Sequence, residues 1–171
     1  MRRCALPSLL ALLIASGLAG PAQAGPKRLW ATINACDTAE RPNAMGLRAS
    51  MPGNGTRQRM YMRFSAQYKD AAAKRWKRIP GEGRSPWVRV GAALVRARQA
   101  GWTFAVAQPA PGTTFKLRGR VDFKWKARRE RAGKPDRWVV VKRRQRFTRR
   151  GLEGVDGGDP PGTSERRCRI R

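Results

Sequence analysis

From Phe115 to Lys126 the chain alternates without a break. Phe115, Leu117, Gly119, Val121, Phe123 and Trp125 fall on one parity; Lys116, Arg118, Arg120, Asp122, Lys124 and Lys126 fall on the other. A period of two held this long predicts a strand with one buried and one solvated face. Met60, Met62, Phe64, Ala66 and Tyr68 repeat the pattern against Tyr61, Arg63, Ser65 and Gln67. Met45, Leu47, Ala49 and Met51 repeat it again before a Pro-Gly-Asn-Gly turn at 52–55. Leu29–Cys36 and Trp102–Ala107 read as two further strands. Trp138–Lys142, extending to Thr148, follows a charged loop at 128–136 and makes a long hairpin with the 115–126 strand. Arg166, Cys168 and Ile170 form a short closing strand after a Gly/Pro-rich loop at 151–163.

Two stretches are less regular. Pro86–Val90 reads as a strand with Trp87 or Val88 inward, and the Ala-rich segment 92–100, stopped by Gly101, predicts a short helix. Trp102 and Trp125 share parity with core positions and are expected inside. The chain has no internal repeat and no low-complexity linker. About seven to nine short strands with turns between them predict an all-β fold, a single antiparallel β-sandwich or barrel, over residues 25–171. The strand count, the mid-chain strand Tyr61-Met62-Arg63-Phe64 and the Phe115-x-Leu117-Arg118-x-Arg120-Val121-x-Phe123-x-Trp125 strand together resemble an immunoglobulin-like or fibronectin type III-like β-sandwich of secreted bacterial proteins. That resemblance implies a fold and no activity. The sequence departs from antibody-type domains in one respect: its cysteines lie at the ends of the domain and not on two central strands.

The first 24 residues have a different character. Arg2 and Arg3 precede an apolar run from Cys4 to Leu18, and Gly20-Pro21-Ala22-Gln23-Ala24 places small residues three and one positions before Gly25. This is the layout of a cleavable secretory signal, with export after cleavage near Ala24. About 15 apolar residues would span only ~22 Å as a helix, short of the ~30 Å hydrocarbon core, and no second run of spanning length follows. The mature chain is therefore expected to carry no transmembrane span. Cys36 and Cys168 remain after cleavage, and an even count in an exported chain predicts one disulfide. Closing a loop of more than 130 residues would stabilise by roughly 4–5 kcal/mol. It requires the first and last strands to be neighbours.

Charge then narrows the partners. The chain has 38 basic and 11 acidic side chains and a net charge of +27, of which the signal segment contributes only Arg2 and Arg3. So large an excess attracts polyanions: anionic polysaccharide, envelope polymers, nucleic acid or anionic lipid surfaces. Most of the basic residues are Arg in an Ala- and Gly-rich chain, a skew that GC-biased coding also produces without any binding purpose. The more specific signal is placement. Lys116, Arg118, Arg120, Lys124 and Lys126 recur along the solvated face of the long strand, with neighbouring positions about 6.6–6.8 Å apart. The hairpin partner adds Lys142, Arg144 and Arg146 on one parity and Arg143 on the other, and the intervening loop adds Arg128, Arg129, Arg131 and Lys134. Arg forks bind phosphate, sulfate and carboxylate bidentately. Trp76, among Lys74, Arg75, Lys77 and Arg78, is the candidate stacking residue.

Catalytic chemistry has little material. The chain has no His, which removes the commonest general base, the usual zinc ligand and every Ser-His or Cys-His arrangement. Glu153, Asp156 and Asp159 cluster in a loop with nothing in the sequence to hold them apart at a set distance, and they lack calcium-loop spacing. Gly81-Glu82-Gly83 has no phosphate-loop pattern, and Asn54-Gly55-Thr56 fits a glycosylation triplet of a kind that arises often by chance. No catalytic residue, metal site or cofactor is expected. The leading expectation is a secreted, non-enzymatic binding or structural module contacting anionic polymers through the 115–146 hairpin. The alternatives are a carboxylate-dependent hydrolase acting on carbohydrate and a cationic membrane-active effector using an amphipathic helix at 88–100.

Overall fold

Residues 28–171 are described by the structure, a computed structural model; the expected signal peptide at 1–24 lies outside the described residues. Nine strands follow in order: β1 (Trp30–Thr38), β2 (Arg41–Pro52), β3 (Arg59–Lys69), β4 (Trp76–Arg78), β5 (Val88–Ala92), β6 (Ala97–Ala105), β7 (Phe115–Arg131), β8 (Lys134–Phe147) and β9 (Cys168–Ile170). All pair antiparallel, in a small sheet β1-β2-β6 and a larger sheet in which β3 and β7 are central. β4 and β5 extend opposite ends of β3, while β8 and β9 flank β7.

The alternating apolar residues meet between the two sheets. Ile33, Met45, Leu47 and Met51 of the small sheet face Met60, Met62, Phe64, Val121, Phe123 and Trp125 of the larger one, all essentially buried. Truncating one of these to Ala costs about 2–5 kcal/mol, the transfer loss plus the cavity. Gly119 occupies an inward position of β7 because a Cβ there would come within 2.6 Å of Leu47 Cδ2 and 2.7 Å of Thr148 Cγ2. The sheets approach too closely at that point for any side chain. Cys36 at the end of β1 is bonded to Cys168 in β9, with Cα atoms 5.4 Å apart, so the bridge ties the small sheet to the large one. Thr32 makes a second tie: its hydroxyl lies 2.9 Å from the Ser164 hydroxyl and 2.8 Å from the Arg149 carbonyl, closing the 149–165 loop over β1.

Four expectations need correction. No helix forms at 92–100. Gly91 turns the chain at φ 128°, and Ala97–Ala100 instead pair with Pro52–Ala49 of β2. Helix propensity is a weak prior, and the small side chains here serve close backbone approach: a Cβ on Gly53 would strike the Val95 carbonyl. Trp102 has the inward parity opposite Leu47, but β6 is the edge of the small sheet and the residue is 37 % exposed. The 128–136 loop is mostly strand, with the turn confined to Ala132-Gly133 and Gly133 at φ 63°. Pro135 is tolerated because β8 is an edge strand. Finally, the loop carrying Glu153 and Asp156 is tied down: Arg48 Nε donates to the Asp156 carbonyl (2.7 Å), and Gln99 both donates to Gly154 O (2.6 Å) and accepts from Asp156 N (3.2 Å). β4 had no signal of its own beyond Trp76.

Candidate anion-binding face

Pairing between β3 and β7 decides what lies on the outer face of the large sheet. Arg59 stands opposite Lys126, Tyr61 opposite Lys124, Arg63 opposite Asp122, Ser65 opposite Arg120 and Gln67 opposite Arg118. Directly opposed residues share a face, so two polar parities of the sequence merge into one cationic surface. In those registers Asp122 is the only carboxylate.

Asp122 is almost buried and takes three guanidiniums. Arg120 donates to Oδ1 from Nε (3.0 Å) and Nη2 (2.8 Å); Arg63 Nη2 lies 3.3 Å from Oδ2 and Arg84 Nη2 3.8 Å from it. One negative charge cannot balance three positive ones, and Arg143 of β8, opposite Lys124, adds a fourth cation beside them. The cluster lines an open depression with Trp87, Gln145 and Arg144. Arg84 is held below the usual guanidinium value by burial first, then by repulsion from Arg63. Burial does the same to the Lys124 ammonium, with Lys126, Arg63 and Arg143 adding to it.

Aromatic rings keep these cations in place. Lys124 Nζ lies 3.6 Å from the Trp87 ring centroid and 5.1 Å from that of Tyr61; Arg63 lies 4.3 Å from Trp87. Arg118 sits between Phe147 (4.2 Å) and Trp76 (4.5 Å), and Arg59 covers Trp138 at 3.8 Å. Each contact is worth about 0.5–1 kcal/mol where exposed and more where desolvated. A guanidinium or ammonium held over a ring has fewer ways to swing into solvent.

The structure divides the cations singled out from the sequence. Arg118, Arg120, Lys124 and Lys126 share the outer face, with Lys116 at its β9 end opposite Arg169. Lys142, Arg144 and Arg146 stand opposite Trp125, Phe123 and Val121 and so fall on the other side of the sheet, with Arg144 alone also bordering the depression beside Arg143. Two register shifts, between Trp125 and Lys126 and between Arg129 and Arg131, interrupt the pairing from the hairpin turn to these residues, and alternation alone does not specify a register. These three are exposed because the small sheet leaves that side of β8 uncovered. Arg144 and Arg146 turn back on their own strand, donating to the carbonyls of Arg143 and Gln145 at 2.8 Å each. Trp76 is half-buried on the outer face beside Arg118. Of the open pair, Val88 faces inward opposite Met62 and Trp87 faces out.

Tyr61, Arg63, Trp87, Phe147 and Trp138 were not read from the sequence as part of the site, whereas Arg143 was named on the parity opposite Lys142, Arg144 and Arg146. Tyr61 and Arg63 were visible as the polar parity of their strand; which strand lay beside it was not. Glu153 and Asp156 line a cleft of about 430 Å³ together with Arg96, Arg98 and Trp30. No group of three or more metal-ligating side chains occurs among the described residues, and no helix among them is long and apolar enough to cross a membrane. Comparison with protein-family models, with curated proteins and with solved structures found no match to this chain.

Proposed function

We propose that this protein is an exported, non-enzymatic binding module that holds an anionic polymer against the outer face of its large sheet. The observation that carries the reading is the surplus of cations fixed around one carboxylate: Arg63, Arg84 and Arg120 on Asp122, with Lys124 and Arg143 beside them. A folded sheet that gathers like charges gives up stability unless an anion neutralises them. Here the arrangement is reinforced by rings and not relaxed into solvent. Anionic polysaccharide, envelope polymers and nucleic acid all supply the required repeating charge. Export rests on the 1–24 pattern, and a disulfide fits an oxidising compartment.

The hydrolase alternative has as its material the two carboxylates of one loop, Glu153 and Asp156, whereas glycosidase chemistry needs carboxyl groups flanking the scissile bond. The membrane-active alternative loses its element, since 88–100 holds β5, a turn and the start of β6. The test is retention on heparin against a plain cation exchanger over one salt gradient. Clearly later elution from heparin is expected; elution at the same salt would mean that bulk charge alone binds and would overturn the reading.

A further inference from the structure

Resting on that reading, we infer that the polymer is a single-stranded nucleic acid, its phosphates taken by the cations of the outer face and its bases by the rings between them. The distribution of rings favours this ligand. Trp138, Tyr61, Trp87, Phe147 and Trp76 follow one another along the outer face, and each has a cation within 5.1 Å of its centroid. From Arg118 to Arg128 on β7 the face runs about 34 Å at ~3.4 Å per residue. None of the five rings is buried, and Phe147 is 41 % exposed.

A sulfated or uronic chain would use the cations and could lay a pyranose face on a ring, but its repeats carry no flat aromatic base to fill the rings between the cations. A duplex also offers phosphates, but its bases are shut within their stack. Only a single strand presents, at every repeat, one anionic group and one flat apolar ring, which is the pairing this face displays. Base–aromatic stacking combined with a basic track is the general means of holding single strands, and an open sheet face is a suitable platform for it. In the free protein the cations rest over the rings. On binding, the phosphate draws the cation aside and the base takes its place, with no covalent step. Phosphate and base are common to DNA and RNA strands, so the two are equivalent ligands under this inference.

The experiment is anisotropy titration of the purified protein, disulfide intact, at about 0.1 M salt with four labelled probes. These are oligo-dT of about a dozen nucleotides, oligo-rU of the same length, an abasic strand with the same number of phosphates, and a duplex; unlabelled heparin serves as competitor. A dozen nucleotides lies within the ~4–16 that one such surface occupies. We expect dT and rU to bind alike and at least tenfold more tightly than the abasic strand, with quenching of tryptophan fluorescence. Y61L/W87L should lose about tenfold per ring for dT and less than twofold for the abasic strand, while Y61F/W87F, which keeps the rings, should restore dT binding. Equal affinity of dT and the abasic strand overturns the inference whether or not any variant folds, and so does a duplex that binds as tightly as dT. Heparin binding that persists without strand preference would leave the polyanion reading standing and remove only this one. A preference for rU over dT would contradict the equivalence of the two sugars.

Discussion

Two basic patches on neighbouring strands, nearly identical as text, have become different objects. Arg118, Arg120 and Lys124 stand on β7 amid Trp76, Phe147, Tyr61 and Trp87, with Arg120 engaged on Asp122. Lys142, Arg144 and Arg146 stand on β8, exposed on the other side of the sheet, two of them folded back onto their own carbonyls. Every member of the first set is held by other side chains. In the second, Arg144 and Arg146 return to carbonyls of their own edge strand and Lys142 lies 4.9 Å from the Trp125 ring centroid, and together they cover the edge with charge, a device that discourages edge-to-edge pairing. Net charge is the same for both, so the difference lies in how tightly each charge is placed. Organisation, more than quantity, separates a binding surface from a solvated one.

The largest effect should come from the scaffold that brings the outer face together. Removing the Cys36–Cys168 bridge as C36S/C168S should cost about 5 kcal/mol on the chain-entropy account of a 132-residue separation, read as a lower denaturant midpoint. Because β9 borders Lys116 and Arg118, polyanion binding should fall with it, while charge-driven retention on a plain exchanger should not. Next comes the carboxylate at the centre. D122N removes the counter-charge of Arg63, Arg84 and Arg120 and should destabilise by about 1–3 kcal/mol, discounted for the partial exposure of all three partners. The same variant should bind polyanion more tightly at low salt, because a negative charge has left the face. Loss of both stability and affinity would show that Asp122 positions the cations rather than merely opposing them.

A smaller effect distinguishes the patches by pH. The Lys124 ammonium is held below the ordinary lysine value by burial and by its cationic neighbours, so folding itself favours deprotonation there. Below its folded pKa the protein bears the full cost of the charged amine. That cost is relieved as pH rises from the folded pKa to the unfolded one, so Lys124 contributes increasing stability over that alkaline window. Polyanion affinity should run the other way, weakening through the same window as the amine loses its proton. K124R should abolish that weakening, whereas K142R should leave it unchanged.

Much of the fold was legible because alternation is a direct consequence of strand geometry: Met45–Met51, Met60–Tyr68 and Phe115–Lys126 all lie within β2, β3 and β7, although β2 begins at Arg41 and β7 runs on to Arg131. The bridge between Cys36 and Cys168 followed from their count and position. What stayed hidden depends on neighbours. Ala97–Ala100 read as helix because nothing local reports the β2 edge they pair with. Trp102 had the right parity but sits on an edge strand, so its depth was invisible. The site was half legible for the same reason. The cations of β7 were evident, whereas Tyr61, Trp87 and Phe147 join them only through register, and Lys142, Arg144 and Arg146 are set opposite Trp125, Phe123 and Val121 by the register of the β7–β8 pairing.

The most direct measurement compares two triple variants that remove equal charge: R118S/R120S/K124S from the outer face and K142S/R144S/R146S from the far side of β8. Each would be titrated against one polyanion across a salt series. The account predicts that the first triple weakens binding at least tenfold more than the second and lowers the salt slope by about two, since each lost phosphate contact removes roughly 0.7–0.9 from it. Equal losses and equal slopes from the two triples would contradict it, and would mean that the protein binds through its total charge alone.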